Sequence, residues 1–148
     1  MDIDNFKSIN DTFGHGTGDA ALRDAVQILK NSLRRDDFIA RFGGDEFLVV
    51  LDIPNLKILE ETVARIRKGV ETFNAQGDRP YRLDFSLGYD IYHVPSKMSS
   101  DEFIDHLDRL MYEDKRKKLG AVTPYRQMEK KERATSESVP YSAKSLGR

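Results

Sequence analysis

The chain has no cysteine, no tryptophan, only five prolines in 148 residues, and almost no surplus of charge. Without cysteine there is no disulfide framework and no thiolate metal site, which suits a reducing cytosol. No apolar run approaches the ~20 residues of a membrane span, and no signal-peptide pattern opens the chain. Lys and Arg number 24 against 25 Asp and Glu, a net charge of −1. No overall field therefore draws nucleic acid or an anionic membrane. The expectation is a cytoplasmic domain without contact to either. What is present is globular in character, 39% hydrophobic and 33% charged, in a chain long enough for one domain with a sizeable core.

Residues 1–4 read as a short extended segment, with Asp4 placed to cap a helix begun by Asn5 and Phe6. The spacing of Phe6, Ile9 and Phe13 predicts that helix, and GHGTG breaks it. A second helix is expected from about Asp19, with Leu22, Ala25, Val26, Leu29 and Leu33 on one face. Residues 38–42 and 46–51 are β-branched and aromatic and meet at Gly43-Gly44, a hairpin signal. Pro54-Asn55 opens a helix whose Leu56, Leu59, Val63, Ile66, Val70 and Phe73 recur at steps of three and four. Residues 81–94 read as one long strand, straight or bent. Ser99 or Ser100 caps a last helix carrying Phe103, Ile104, Leu107, Leu110 and Met111. From residue 121 the periodicity stops, and a polar, flexible tail is expected. The order β-α-α-β-β-α-β-α predicts an α/β (α+β) fold with a ferredoxin-like core, a central mixed sheet flanked by helices.

The chemistry concentrates at RFGGDEFLVV, residues 41–50, where two acids interrupt an apolar hairpin. Gly43 and Gly44 permit unusual backbone geometry and leave room for something bulky. A carboxylate such as Asp45 at the end of an apolar strand is costly unless paired or bound to a cation. Asp2, ending the first strand, offers a second one. Strand-end acids from two segments suit a hard divalent ion that also takes phosphate oxygens and water. Taken alone, the stretch equally suits a tight Gly-Gly-Asp turn with Glu46 keeping an edge strand soluble. Upstream, Asp2, Lys7, Asn10, His15 and Asp19 surround a strand-to-helix junction, whose free N–H groups and dipole favour an anion. Asn10 and Asp19 suit a guanine edge, because a carboxylate accepts from N1–H and N2–H while adenine offers no matching donors. His15 equally suits the shaping of the Gly14–Gly16 turn. Arg34-x-x-Asp37, ahead of the hairpin, suits a phosphate or a guanine but also an ordinary charged turn. His93 and His106 have no ligand-like companions and read as surface histidines.

RFGGDEF, together with DIDNFKSINDTFGHGTGD upstream, resembles the GGDEF family, the diguanylate cyclases. FSLGYD is similar to the family's Ser-Ile-Gly strand, and LMYEDKRKKLG to its Tyr-x-Ala-Lys helix end, so the likeness runs over residues 1–120. The resemblance implies a nucleotide-cyclase-like core and the condensation of two GTP into cyclic di-GMP and pyrophosphate across an antiparallel homodimer. It implies metal ligation by Asp2, the Ile3 carbonyl, Asp45 and Glu46, with two magnesium ions per half-site and manganese as a substitute. It gives Asp45, Glu46 and Lys7 catalytic positions. Asn10, His15, Asp19, Gly43, Gly44 and Lys115 fall at substrate-binding positions, with Asp19 marking the guanine-selective members. Arg34 and Asp37 fall at the family's product-inhibition site, which Arg65 or Arg67 would complete. An upstream sensor domain is the usual partner.

Two departures stand out. Family members normally carry an earlier helix and an Asp-x-Leu-Thr-x-Leu-x-Asn-Arg segment, so the likeness begins in mid-strand, without the N-terminal part of the domain. Losing a packing layer would cost several kcal/mol, comparable to a domain's total stability, which leaves the activity of this exact span open. At the other end KRKKLGAV replaces the usual Lys-x-x-Gly-Arg-Asn, so Leu119 stands where a second phosphate-contacting arginine is expected, with Lys118 or Arg116 as substitutes. These departures keep open the alternative of a catalytically silent module that binds GTP or cyclic di-GMP and signals by interaction.

Overall fold

A computed structural model describes residues 1–120; the tail expected from residue 121 lies outside the described residues. The elements run β1 (Asp2–Ile3), α1 (Phe6–Phe13), α2 (His15–Ser32), β2 (Phe38–Arg41), β3 (Phe47–Val50), α3 (Leu56–Gln76), β4 (Phe85–Ser86) and α4 (Ser100–Leu119). This is the order that the periodicity predicts. β2 and β3 form the expected antiparallel hairpin, with Phe38 opposite Val50 and Arg41 opposite Phe47. β1 pairs antiparallel with β4, Asp2 opposite Ser86. An Asp2–Glu46 bridge then joins β1 to the hairpin, giving the lateral order β2-β3-β1-β4. Where a mixed sheet is expected, every pairing among the described residues is antiparallel.

Helices α2 and α3 cover the sheet, and their apolar stripes meet it through Leu29, Ile66 and Val70 against Ile3, Phe47 and Phe85. α3 starts where expected, because the Asn55 side chain accepts the Ile58 N–H at 3.1 Å. α4 starts with a capping box, in which Ser99 accepts from the Glu102 N–H while the Glu102 carboxylate accepts from the Ser99 N–H. Its first turn is acidic and its last turn basic, matching the helix dipole at both ends.

Three local expectations are corrected. Asp4 caps nothing: Asn5 is the cap residue, in the left-handed region at φ 57° with no side-chain bond, and Asp4 accepts from the Ser86 hydroxyl at 2.6 Å instead. α2 begins at His15, four residues earlier than the glycines suggest, because only Gly14 (φ 84°) breaks the helix. Gly18 lies inside it for a different reason. A Cβ there would sit 1.9 Å from the Asn10 side-chain oxygen, so any larger residue would make the Asn10 side chain turn away from α2. The long strand expected over residues 81–94 is paired only at Phe85–Ser86, since β1 offers it just two residues.

Beside β1, between β3, residues 87–89, α3 and α4, lies an apolar cavity of about 300 Å³, with Met1 at its edge. On its far side α4 is pressed onto Gly88. A Cβ at position 88 would stand 2.0 Å from the Leu107 carbonyl and 2.5 Å from the Met111 nitrogen, both backbone atoms that cannot turn aside. Gly88→Ala should therefore destabilise the fold by about 3 kcal/mol in urea unfolding, as overpacking against rigid neighbours does. Gly16→Ala, in α2 with nothing within 4 Å of the new Cβ, should change stability by less than about 1 kcal/mol.

Candidate active site

The site forms where β1 meets the turn of the β2–β3 hairpin. Ile3 donates its N–H to the Asp45 carbonyl at 3.1 Å, and Phe47 donates to the Met1 carbonyl at 2.8 Å. These bonds set Asp2 beside the Gly43–Glu46 turn although 43 residues separate Asp2 from Asp45 in sequence. The turn itself is held by Arg41, whose guanidinium donates to the Gly43 carbonyl at 3.2 Å and to the Gly44 carbonyl at 2.6 Å. Arg41 carries no family-motif role above. Its signal was its place at the head of the hairpin, one strand position from the two glycines.

Asp2 is buried, 8% exposed, yet carries a carboxylate. Burial pushes its pKa up to about 6; Lys115 pulls it back, and the neighbouring Asp45 adds to the rise. Asp45 is likewise raised by burial and is likewise drawn down by Lys115. The Lys115 ammonium, from the last turns of α4, stands 3.1 Å from Asp2 Oδ1. Two desolvated carboxylates thus share the field of one lysine. The Glu46 carboxylate lies over Gly43. Ile3 is fully buried between the two ladders.

Lys118, one turn from Lys115, anchors the neighbouring acids. Its ammonium bonds Asp4 at 2.9 Å and Asp84 at 2.8 Å and donates to the Phe85 carbonyl. Asp114 on the same helix accepts from the Leu87 N–H at 3.0 Å and pairs with Arg67 at 2.9 Å. So α4 is fastened along both β1 and β4, and Arg67 faces α4. Leu119 is 59% exposed and offers no cation.

The remaining expected residues gather around α1 and α2. Asn10 lies against Gly18, the residue before Asp19. Because α2 starts at His15, His15 and Asp19 stand at i and i+4 on one helix face, both exposed. Lys7 is exposed on the first turn of α1. Arg34 and Asp37 form a turn of their own, the Arg34 N–H donating to the Asp37 carboxylate at 2.7 Å. Arg65 comes to the same corner, donating to the Ser32 carbonyl at 2.8 Å. His106 is paired, 2.8 Å from Asp90, where a companionless surface histidine is expected.

The raised pKa of Asp2 makes stability depend on pH. The folded state holds this proton more tightly than the unfolded chain, whose carboxylate titrates near 3.9. The contribution is therefore complete below about pH 4 and is lost as pH rises through about 6. Asp2→Asn, measured in chelator, should unfold at higher temperature than the wild type at pH 8, by the equivalent of about 2 kcal/mol. The difference should close as the pH falls from 6 to 4. Equal unfolding temperatures throughout would contradict the burial of a charged Asp2.

Comparison with known proteins identifies the family. The family model described as diguanylate cyclase, GGDEF domain, matches residues 1–120. Diguanylate cyclase A of Treponema denticola is 35% identical over 124 residues, which are 83% of this chain and 33% of that protein. Among solved structures, the GGDEF domain of DgcB from Caulobacter crescentus, in complex with c-di-GMP, superposes with a TM-score of 0.67 at 27% identity, covering 78% of this chain and 68% of that one. The diguanylate cyclase SiaD of Pseudomonas aeruginosa, in complex with its activator SiaC, gives 0.66 at 28% identity, covering 78% and 44%. The chain spans a third or less of the length of the curated relatives first matched. With its acids brought together at the hairpin turn and its likeness extending through α4, the chain belongs to the GGDEF family of diguanylate cyclase domains.

Proposed function

We propose that this domain condenses two GTP into cyclic di-GMP, one nucleotide being held by each of two copies facing antiparallel. The 3′-oxygen of each ribose attacks the α-phosphorus of the facing nucleotide; the bond to the β-phosphate breaks, and pyrophosphate leaves. The observation that carries this reading is the closeness of buried Asp2 and half-buried Asp45 under Lys115.

The donor set fits a hard divalent ion. Two carboxylates are desolvated, and among the described residues no group of three or more His, Cys, Asp or Glu side chains is arranged to hold a metal alone. Such a partial shell suits magnesium, which keeps water and phosphate oxygens among its ligands. Asp2, the Ile3 carbonyl and Asp45 would hold two magnesium ions per half-site (or manganese), with Glu46 joining by turning away from Gly43. Bound there, the ions supply Lewis acidity at the α-phosphate and ease deprotonation of the attacking hydroxyl.

The chain's own residues do the rest. Asp45, its pKa raised by burial, is the proton acceptor for the 3′-hydroxyl. Lys7, at the start of α1, meets phosphate charge where the helix dipole also favours it. Asn10 and Asp19 read the guanine edge, and His15, one turn before Asp19, lies along the same face. The backbone of Gly43 and Gly44 leaves space for the triphosphate, and Lys115 contacts its far phosphates. Arg34 and Asp37, with Arg65 beside them, bind cyclic di-GMP and slow the enzyme as product accumulates. The setting is cytoplasmic, and a sensor domain supplies the input.

The protein incubated with GTP and magnesium should form cyclic di-GMP, and Asp45→Ala should lower the rate at least about 100-fold. Undiminished product from that variant would sink the site assignment, and nucleotide binding without turnover would favour a silent signalling module. Arg34→Ala should leave the initial rate within about twofold while raising the inhibition constant for added cyclic di-GMP about tenfold. Unchanged inhibition would remove the regulatory role.

A further inference from the structure

Two carboxylates drawn this close repel one another, and the Lys115 ammonium acts on both. Lys115 Nζ is 3.1 Å from Asp2 Oδ1 and lowers the pKa of Asp45 as well. We infer that Lys115 is the resident counter-ion of the Asp2–Asp45 pair, a tethered ammonium that a divalent ion displaces on binding. The inference rests on the metal reading above and adds a linkage that reading does not contain.

The physical grounds are charge and reach. An ammonium and a divalent ion a few ångströms apart on the same carboxylates repel strongly in a partly desolvated site. One has to leave. Lys115 can, because its ammonium ends a flexible four-carbon stem. Lys118 next door cannot take its place so readily, since Asp4, Asp84 and the Phe85 carbonyl already hold it. Those three acceptors match the three donors of an ammonium, so Lys118 is fixed in place. Once displaced, Lys115 needs a new acceptor, and a nucleotide's phosphate oxygens supply it. Metal and nucleotide then bind with positive coupling: the ion frees the ammonium, and the phosphate stabilises it where it goes. Without nucleotide, the ammonium competes with the ion and offsets part of the charge of the acid pair.

The test reads manganese binding directly, by electron paramagnetic resonance on the 148-residue chain at pH 8, with no turnover required. Without nucleotide, Lys115→Met should bind Mn²⁺ about tenfold more tightly than the wild type, the effect of removing one like charge. Lys115→Arg should stay within about twofold of the wild type, since the charge is kept. A non-hydrolysable GTP analogue should tighten Mn²⁺ binding to the wild type and do so less for Lys115→Met. Equal or weaker Mn²⁺ binding by Lys115→Met would overturn the inference while leaving the metal site intact. A wild type whose Mn²⁺ binding is unaltered by Asp2→Asn, with or without the analogue, would overturn the metal reading itself and the inference with it. Should Lys115→Met not fold, the wild-type Lys115 ammonium resonance serves instead. It should be protected from solvent exchange in chelator and lose that protection as Mg²⁺ and the analogue are added; retained protection at saturation refutes displacement.

Discussion

The candidate site depends on one short backbone junction. Ile3 bonds to Asp45 and Phe47 to Met1, an antiparallel contact only a few residues long. Both carboxylates come with the ladder: Asp2 sits within it, and Asp45 leads into it. Neither side chain has much freedom to avoid the other, because Asp2 is buried and Ile3, next to it, is locked between β3 and β4. The unfavourable desolvation of two acids is thus imposed by backbone pairing and offset by the hydrophobic cluster beneath, in which Ile3, Phe47 and Phe85 are buried.

The helices then place everything that answers those acids. α4 brings Lys115 and Lys118 one turn apart, and its capping box and charged ends favour the helix on its own. α1 and α2 meet at an angle set by Gly14 and by the closeness of Asn10 to Gly18. The unbroken helix from His15 puts His15 and Asp19 on one face, and Asn10 lies against Gly18 beside them. Away from the site, Asp24 on α2 ties down the loop after α3. It accepts from Arg79 at 2.6 Å and from the Tyr81 hydroxyl at 2.6 Å, and the Arg79 bond holds its carboxyl below the usual range. Tyr81 is pushed up to about 12, by burial first and then by the same carboxylate.

Much of this was legible in the residues. The stripe from Leu56 to Phe73, the Gly43-Gly44 turn and the Ser99 cap each announce an element through local physics alone, and each is present. The candidate acids were also legible, since Asp2 and Asp45 stand at the ends of apolar runs. What was hidden depends on distant partners. Nothing local says that GHGTG is mostly helix, because the crossing with Asn10 makes Gly18 a packing residue. Nothing local limits the strand at residues 81–94 to two paired residues, because its extent is set by β1. Asp4 reads as a helix cap until Ser86 and Lys118, 82 and 114 residues away, claim its carboxylate. Lys118 itself reads as one of a run of basic residues, and only the acids around it give it a task.

The contact at Gly88 has a mechanical consequence. Where helices usually rest on cushions of side chains that can adjust, α4 rests backbone to backbone on this residue. No rotamer lies between α4 and residue 88 to absorb a displacement, so the helix axis and the backbone at residue 88 move together. The helix is therefore held like a stiff lever whose fulcrum is a missing methyl group.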